Sequence, residues 1–291
     1  MGGPVDTRVR VDDGVVLHVR EHLPEQAVDD ARTFLLVHGL SSNALLWDGV
    51  GAALATAGHR SVAVDLRSHG HSDASDELGF ARIVDDLVQV SETMELERPV
   101  ALGQSWGGNV VLELGASRPD VVAGVVGVDG GLISLADRFP DVDACWAALA
   151  PPRFDHLRWS DLEAGVAART AGWPDGAARA QLGNLRPDAD GGVRAVLTRD
   201  RHRRIVEHLY HHRPLERLGV LEVPMLLLAV TGAGGRVLDE DRLLAARAAA
   251  VAPLHVVRLP GRDHDVHLQE PDTVATLVAD WLAGRALPQV A

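Results

Sequence analysis

The sequence predicts an α/β fold: a mostly parallel eight-stranded sheet flanked by helices and interrupted by one helical insertion. Three observations predict it. Short apolar blocks alternate with Ala/Leu-rich blocks of helical period, which argues for a doubly wound sheet. Several strand-like blocks, such as 223–230, lack polar alternation, as strands covered on both faces do. The alternation lapses once, between Asp129 and Pro224, where helix-like runs follow one another without a convincing strand.

In chain order, strands are expected at 5–11 and 15–20, joined by Asp12-Asp13-Gly14, a good hairpin turn. Further strands are expected at 33–38, 61–65, 99–104, 121–129, 224–230 and 254–259. Helices are expected at 44–57, 79–95, 106–117, 239–251 and 272–282. The insertion carries helical runs at 162–171, 177–185 and 194–210, punctuated by Pro151-Pro152, Pro174, Pro187 and Gly191-Gly192. This divides the chain into a core, residues 1–131 and 216–291, and an insertion, residues 132–215.

Composition removes several chemistries. All 28 basic residues are Arg, so no Lys is present for a phosphate loop, a Schiff base or a Ser–Lys pair. Asp and Glu total 41 and the net charge is −13, which argues against nucleic acid as a partner. Cys145 is the only cysteine, so no intramolecular disulfide can form, which fits a reducing compartment. The first residues lack a secretory pattern, and no apolar run reaches membrane-spanning length. A cytoplasmic location with no membrane partner is therefore expected. Nothing in the sequence decides against a homo-oligomer.

Gly103-Gln104-Ser105-Trp106-Gly107 follows a predicted strand and opens a predicted helix. Gly-x-Ser-x-Gly in that setting is a nucleophile elbow, in which a strained turn lifts the Ser hydroxyl clear of the sheet. The glycines let neighbouring backbone pass close by, and the helix N-terminus favours developing negative charge.

With this motif the chain resembles the α/β-hydrolase superfamily over nearly its whole length. His38-Gly39-Leu40 matches the family's His-Gly element, and the resemblance implies an oxyanion hole formed by the N–H groups of Leu40 and Trp106. His38 itself then orders its loop. The run from Asp65 to Asp73 resembles the family segment D-x-R-G-x-G-x-S, with Ser68 where Gly is usual. The catalytic base implied by the resemblance is His264, in Gly261-Arg262-Asp263-His264-Asp265-Val266-His267, with His267 as the alternative. Asp263 and Asp265 read as loop residues. No cofactor or metal is implied.

The base needs an acid to fix its tautomer. In most of the family that acid follows the strand expected at 224–230, but the segment there is Thr231-Gly232-Ala233-Gly234-Gly235, with no carboxylate. The other family placement follows the preceding strand, which ends in Val128-Asp129-Gly130-Gly131. Asp129 is therefore the expected acid, as in enzymes of the zearalenone-lactonase type and one group of dehalogenases. Asp239 or Asp241 is the alternative.

Helical insertions at this point cover the active site in the family. Of six Trp, four Phe and one Tyr, the residues Phe139, Trp146, Phe154, Trp159, Trp173 and Tyr210 fall in the insertion. With Trp47 they are expected to line an apolar pocket, and the implied partner is an apolar or aromatic ester or lactone. His208, His211 and His212 have a spacing that suits a metal, but no acid or Cys accompanies them, so they read as a solvated helix end. The run Arg199, Arg201, Arg203, Arg204 reads as a solvated face, one member of which could meet a substrate carboxylate. The expected activity is that of a Ser–His–Asp esterase or lactonase. Carbon–carbon or amide hydrolysis on the same triad is the alternative, and a binding protein that kept the fold is the rival of another class. The elbow carries Ser rather than the Asp of epoxide hydrolases and haloalkane dehalogenases.

Overall fold

The computed structural model describes residues 3–154, 156–231 and 240–288. An antiparallel hairpin opens the chain, β1 (Val5–Arg10) and β2 (Val16–His22). Its turn is closed by Gly14 at φ 87°, a left-handed conformation that glycine adopts without steric cost. Then β3 (Thr33–Val37) leads through a 3-10 turn (Ala44–Trp47) into α1 (Asp48–Thr56), followed by β4 (Arg60–Val64) and α2 (Phe80–Thr93). Next come β5 (Val100–Gln104), α3 (Trp106–Ser117) and β6 (Gly124–Val128).

The insertion holds α4 (Val142–Leu149), α5 (Trp159–Arg169), α6 (Ala177–Leu182), β7 (Leu185–Pro187), β8 (Val193–Ala195), α7 (Arg199–His211) and α8 (Pro214–Leu218). The core resumes with β9 (Met225–Thr231), α9 (Glu240–Ala249), β10 (Leu254–Pro260), α10 (Val266–Gln269) and α11 (Pro271–Leu282). The small antiparallel pair β7–β8 corrects the expectation of a strand-free insertion. Its three-residue strands are too short to leave a period in the sequence.

The main sheet has eight strands in the order β1-β2-β4-β3-β5-β6-β9-β10. Pairing is antiparallel at β1–β2 and β2–β4 and parallel from β4 to β10. Alternation along β3 sorts the core into two layers. Phe34 and Leu36 pack with Val50 and Leu54 of α1 and Val274, Val278 and Trp281 of α11. Leu35 and Val37 face the other way, with Leu87 of α2 and Val110, Val111 and Leu114 of α3. Helices thus cover both faces of the central strands, and this is why those strands read as unbroken apolar blocks.

Both ends of the insertion are tied to one residue of α3. The buried Asn109 donates from Nδ2 to the carbonyl of Ile133 (2.8 Å) and to Nδ1 of His212 (3.1 Å), while its Oδ1 accepts from the Ile133 N–H (3.2 Å). His212 also contacts Glu113 at 3.2 Å and stacks on Phe80, with ring centroids 4.2 Å apart. This corrects the reading of the three histidines as a solvated helix end: His208 and His211 are exposed, and His212 is buried. No group of side chains suited to a metal ion exists among the described residues. Nor is any described helix long and apolar enough to cross a membrane.

Candidate active site

Ser105 joins β5 to α3 with φ 54° and ψ −122°, a strained conformation for a residue with a side chain. The surrounding glycines explain how the turn is tolerated. A Cβ on Gly107 would come within 2.5 Å of the carbonyl oxygens of Val37 and His38. A Cβ on Gly103 would overlap the Gly107 carbonyl, and one on Gly130 would overlap the Ser105 backbone. The turn is held by the Ser105 N–H, which donates to the Val128 carbonyl (3.0 Å), and by the Gly108 N–H, which donates to the Ser105 carbonyl (3.0 Å). Ser105 opens on a cavity of about 620 Å³.

Leu40 also lines that cavity, from the turn after β3, and Trp106 is the first residue of α3. The first N–H groups of a helix have no partner within it, so the Trp106 amide is free to meet a developing anion. His38 is fully buried beneath this loop. Its Nδ1 donates to the Gly39 carbonyl (2.8 Å) and its Nε2 accepts from the Leu66 N–H (3.0 Å), so both ring nitrogens serve the backbone.

His264 follows β10, at the sheet's parallel edge, and lines the cavity with Ser105. Its Nδ1 lies 2.5 Å from Oδ2 of Asp129. That contact places the ring proton on Nδ1 and leaves Nε2 as the basic nitrogen. The carbonyl of His264 accepts from Nε2 of Gln104 (3.1 Å), the residue directly before Ser105. Asp129 is itself held rigidly at φ 42°, with its N–H donating to the Leu228 carbonyl (2.8 Å) and its Oδ1 accepting from the Val230 N–H (3.3 Å).

The other candidates lie elsewhere. His267 is fully buried against Trp47, with ring centroids 4.7 Å apart, and burial pushes its pKa down to about 3. Asp241 is exposed on α9, and Asp239 lies outside the described residues. Asp263 is exposed, whereas Asp265 lines the cavity, where burial raises its pKa.

Among the aromatic residues expected in the pocket, Phe154 alone lines it. Trp47 is corrected to the core between the sheet and α1. Phe139, Trp146 and Tyr210 pack against the opposite core layer, Tyr210 through a hydrogen bond to the Pro140 carbonyl (2.9 Å). Trp173 packs on the small cluster around Leu46 and Leu268, and Trp159 begins α5 away from the cavity wall. Aliphatic side chains supply the apolar lining instead, among them Leu46, Leu162, Val166, Val193 and Leu197. The rings were available to complete a small insertion core, and composition alone does not tell which way a ring points.

Sequence reasoning also missed His69. It lines the cavity, is 1 % exposed, and donates from Nδ1 to the Arg67 carbonyl (3.0 Å), while its Nε2 has no partner. Burial and the neighbouring His38 hold its pKa down to about 3, so it is a neutral acceptor.

A family model described as the alpha/beta hydrolase family matches residues 34–277. The chain belongs to that family. The chain is 33% identical over 118 residues to a haloalkane dehalogenase of Psychrobacter cryohalolentis, covering 40% of this chain and 39% of the relative. It is 29% identical over 194 residues to epoxide hydrolase A of Mycobacterium tuberculosis, covering 65% of this chain and 58% of the relative. The matches thus span between about two-fifths and three-fifths of these curated relatives. Among solved structures, the chain resembles E-2-(acetamidomethylene)succinate hydrolase, with TM-score 0.77, 22% identity and coverage of 96% and 99% of the two chains. It resembles the thioesterase domain from the curacin biosynthetic pathway with TM-score 0.71, 18% identity and coverage of 96% and 100%. These two likenesses are of fold.

Proposed function

We propose that this hydrolase cleaves a carboxylic ester or lactone through Ser105, His264 and Asp129, by way of an acyl-enzyme. The observation that carries the reading is the 2.5 Å contact between His264 Nδ1 and Asp129 Oδ2, at a cavity into which Ser105 opens from a strained turn. His264 Nε2 takes the hydroxyl proton as Ser105 Oγ attacks the carbonyl carbon. The N–H groups of Leu40 and Trp106 stabilise the oxyanion. Collapse of the tetrahedral intermediate breaks the ester C–O bond, and the imidazolium returns its proton to the leaving oxygen. Water, deprotonated by the same nitrogen, then attacks the acyl-enzyme and releases the acid and Ser105. Ser at this turn separates the hydrolase from chemistry that needs a carboxylate nucleophile. The aliphatic lining supports a substrate with an apolar body, and residues 132–215 act as the lid that holds it.

The test is labelling by a fluorophosphonate together with a screen of esters, lactones and amides. Stoichiometric labelling that disappears in Ser105→Ala, with ester or lactone turnover lost in the same variant, is the expected result. Folded protein that takes no label, or turnover that survives Ser105→Ala, would overturn the reading.

A further inference from the structure

The cavity wall holds three arginines with no carboxylate in salt-bridge contact among the described residues. Arg153, Arg169 and Arg199 line it, and none of them forms an ion pair among the described residues. Acids outnumber bases 41 to 28 in the chain, and elsewhere Arg20, Arg60, Arg67 and Arg82 each meet a carboxylate. Two members of the positive run on α7 meet a carboxylate, Arg201 at Asp76 and Arg203 at Asp143. Arg199, in the same run but turned to the cavity, does not.

Arg199 is half-buried, and its contacts position the charge without neutralising it. It donates to the Pro151 carbonyl and lies 5.3 Å from the centroid of the Trp146 ring. The bond to Pro151 ties it to the segment that carries Arg153. A partly desolvated cation with no counter-ion is costly, and an anionic ligand offsets that cost. Arg169 is in a different position. It donates to Gln181, whose Nε2 donates to Asp265 Oδ2 (3.3 Å), so its charge faces the one acid among the described lining residues, beside His264. Among the described residues, the cavity charge with no carboxylate partner therefore lies with the half-buried Arg199 and the exposed Arg153.

We propose that the cavity selects substrates carrying a free carboxylate, bound by Arg199 and Arg153 of the insertion while Ser105 attacks an ester at the other end: monoesters of dicarboxylic acids. A planar carboxylate matches the guanidinium fork, and the aliphatic wall suits the chain between the two carboxyl groups. This inference rests on the serine-hydrolase reading, so its test has an arm that needs no turnover.

The first arm compares 4-nitrophenyl hydrogen adipate with 4-nitrophenyl hexanoate, esters of equal acyl length that differ in the terminal carboxylate. The expected kcat/KM ratio favours the adipate ester by roughly tenfold or more, and falls close to one in the Arg153→Gln/Arg199→Gln protein. The second arm measures adipate and adipamide binding to Ser105→Ala by calorimetry. Adipate is expected to bind, to lose roughly tenfold or more in affinity when the two arginines are replaced, and to bind more tightly than adipamide. Absence of turnover on both esters would count against the serine-hydrolase reading alone, with the calorimetry still deciding this one. Equal rates on the two esters, or an adipate affinity indifferent to the two substitutions, would overturn the carboxylate site.

Discussion

His264 and Asp129 meet over the end of a strand that belongs to neither of them. Asp129 follows β6, His264 follows β10, and β9 lies between the two in the sheet. The 2.5 Å contact spans that strand, and Asp129 is pinned to it by the N–H of Val230 and the carbonyl of Leu228. The carboxylate is therefore supplied to the histidine from one strand further into the sheet than the position after β9, where Gly232 to Gly235 offer no acid.

Replacing Asp129 by Asn keeps the shape and removes the charge that holds the proton on Nδ1. Asp129→Asn is expected to lower kcat by about 10³–10⁴-fold. Asp241→Asn, on the exposed face of α9, is expected to stay within about twofold, as surface changes away from a site do. Steady-state turnover alongside circular dichroism of each folded variant checks both, and near-normal turnover in Asp129→Asn would remove it from the site.

Ser68 occupies a position at φ 68°, and its hydroxyl both donates to the Ser75 carbonyl (2.8 Å) and accepts from the Ser75 N–H (2.9 Å). Those two bonds compensate the strain that Gly would avoid. Ser68→Gly loses the bonds but relaxes the backbone, while Ser68→Ala loses the bonds and keeps the strain. The expected order of stability is Ser, then Gly, then Ala, with the last step costing about 1 kcal/mol. Urea unfolding midpoints give the order, and Ala above Gly would contradict it.

Acid should unfold this protein early. His69 and His267 have pKa values pushed down to about 3 and His202 to about 4, in each case chiefly by burial. In the unfolded chain each titrates near its ordinary value of 6.5. As pH falls below that value the unfolded state binds protons that the folded state refuses. Each histidine then removes about 1.4 kcal/mol of stability per pH unit until its folded pKa is reached. An acid titration followed by circular dichroism is expected to show unfolding above about pH 4. His267→Phe, which replaces a ring with two unpartnered nitrogens, is expected to move the midpoint to lower pH. An unmoved midpoint would mean that His267 takes up no protons on unfolding.

Asn109→Leu removes three hydrogen bonds and leaves the Ile133 backbone and His212 Nδ1 buried without them. A loss of about 2–4 kcal/mol is expected, read as a fall in the urea midpoint. Because the bonds anchor the insertion, KM is expected to rise more than kcat falls. A variant as stable as the parent would show that the anchor contributes nothing.

The strand order was not legible in the sequence, but the strands were, because burial on both faces erases polar alternation and leaves blocks such as Leu226 to Val230. The turn at Ser105 was legible because two glycines mark where Cβ atoms collide. The choice of Asp129 came from the empty stretch after β9, a local absence that a sequence displays well. What stayed hidden depends on the direction of single side chains. Trp47 and Trp146 pack inward, His69 turns to the cavity, and Arg199 parts company with Arg201 and Arg203 two and four residues on. Asn109 gave no signal because its partners, Ile133 and His212, lie 24 and 103 residues away in the sequence.

The pinning of both insertion roots to Asn109 bears on how this scaffold can be altered. With Ile133 and His212 fixed beside the helix that follows Ser105, residues 134–211 lie between two defined anchor points and can be treated as a cassette. Pocket shape can be rewritten inside the cassette by exchange, recombination or drift while Ser105, Asp129 and His264 keep their places. A splice made at Gly130 instead would put a side chain into the Ser105 backbone and disturb the turn itself. A graft that keeps Asn109, Ile133 and His212 is therefore the natural unit for moving new specificities onto this core.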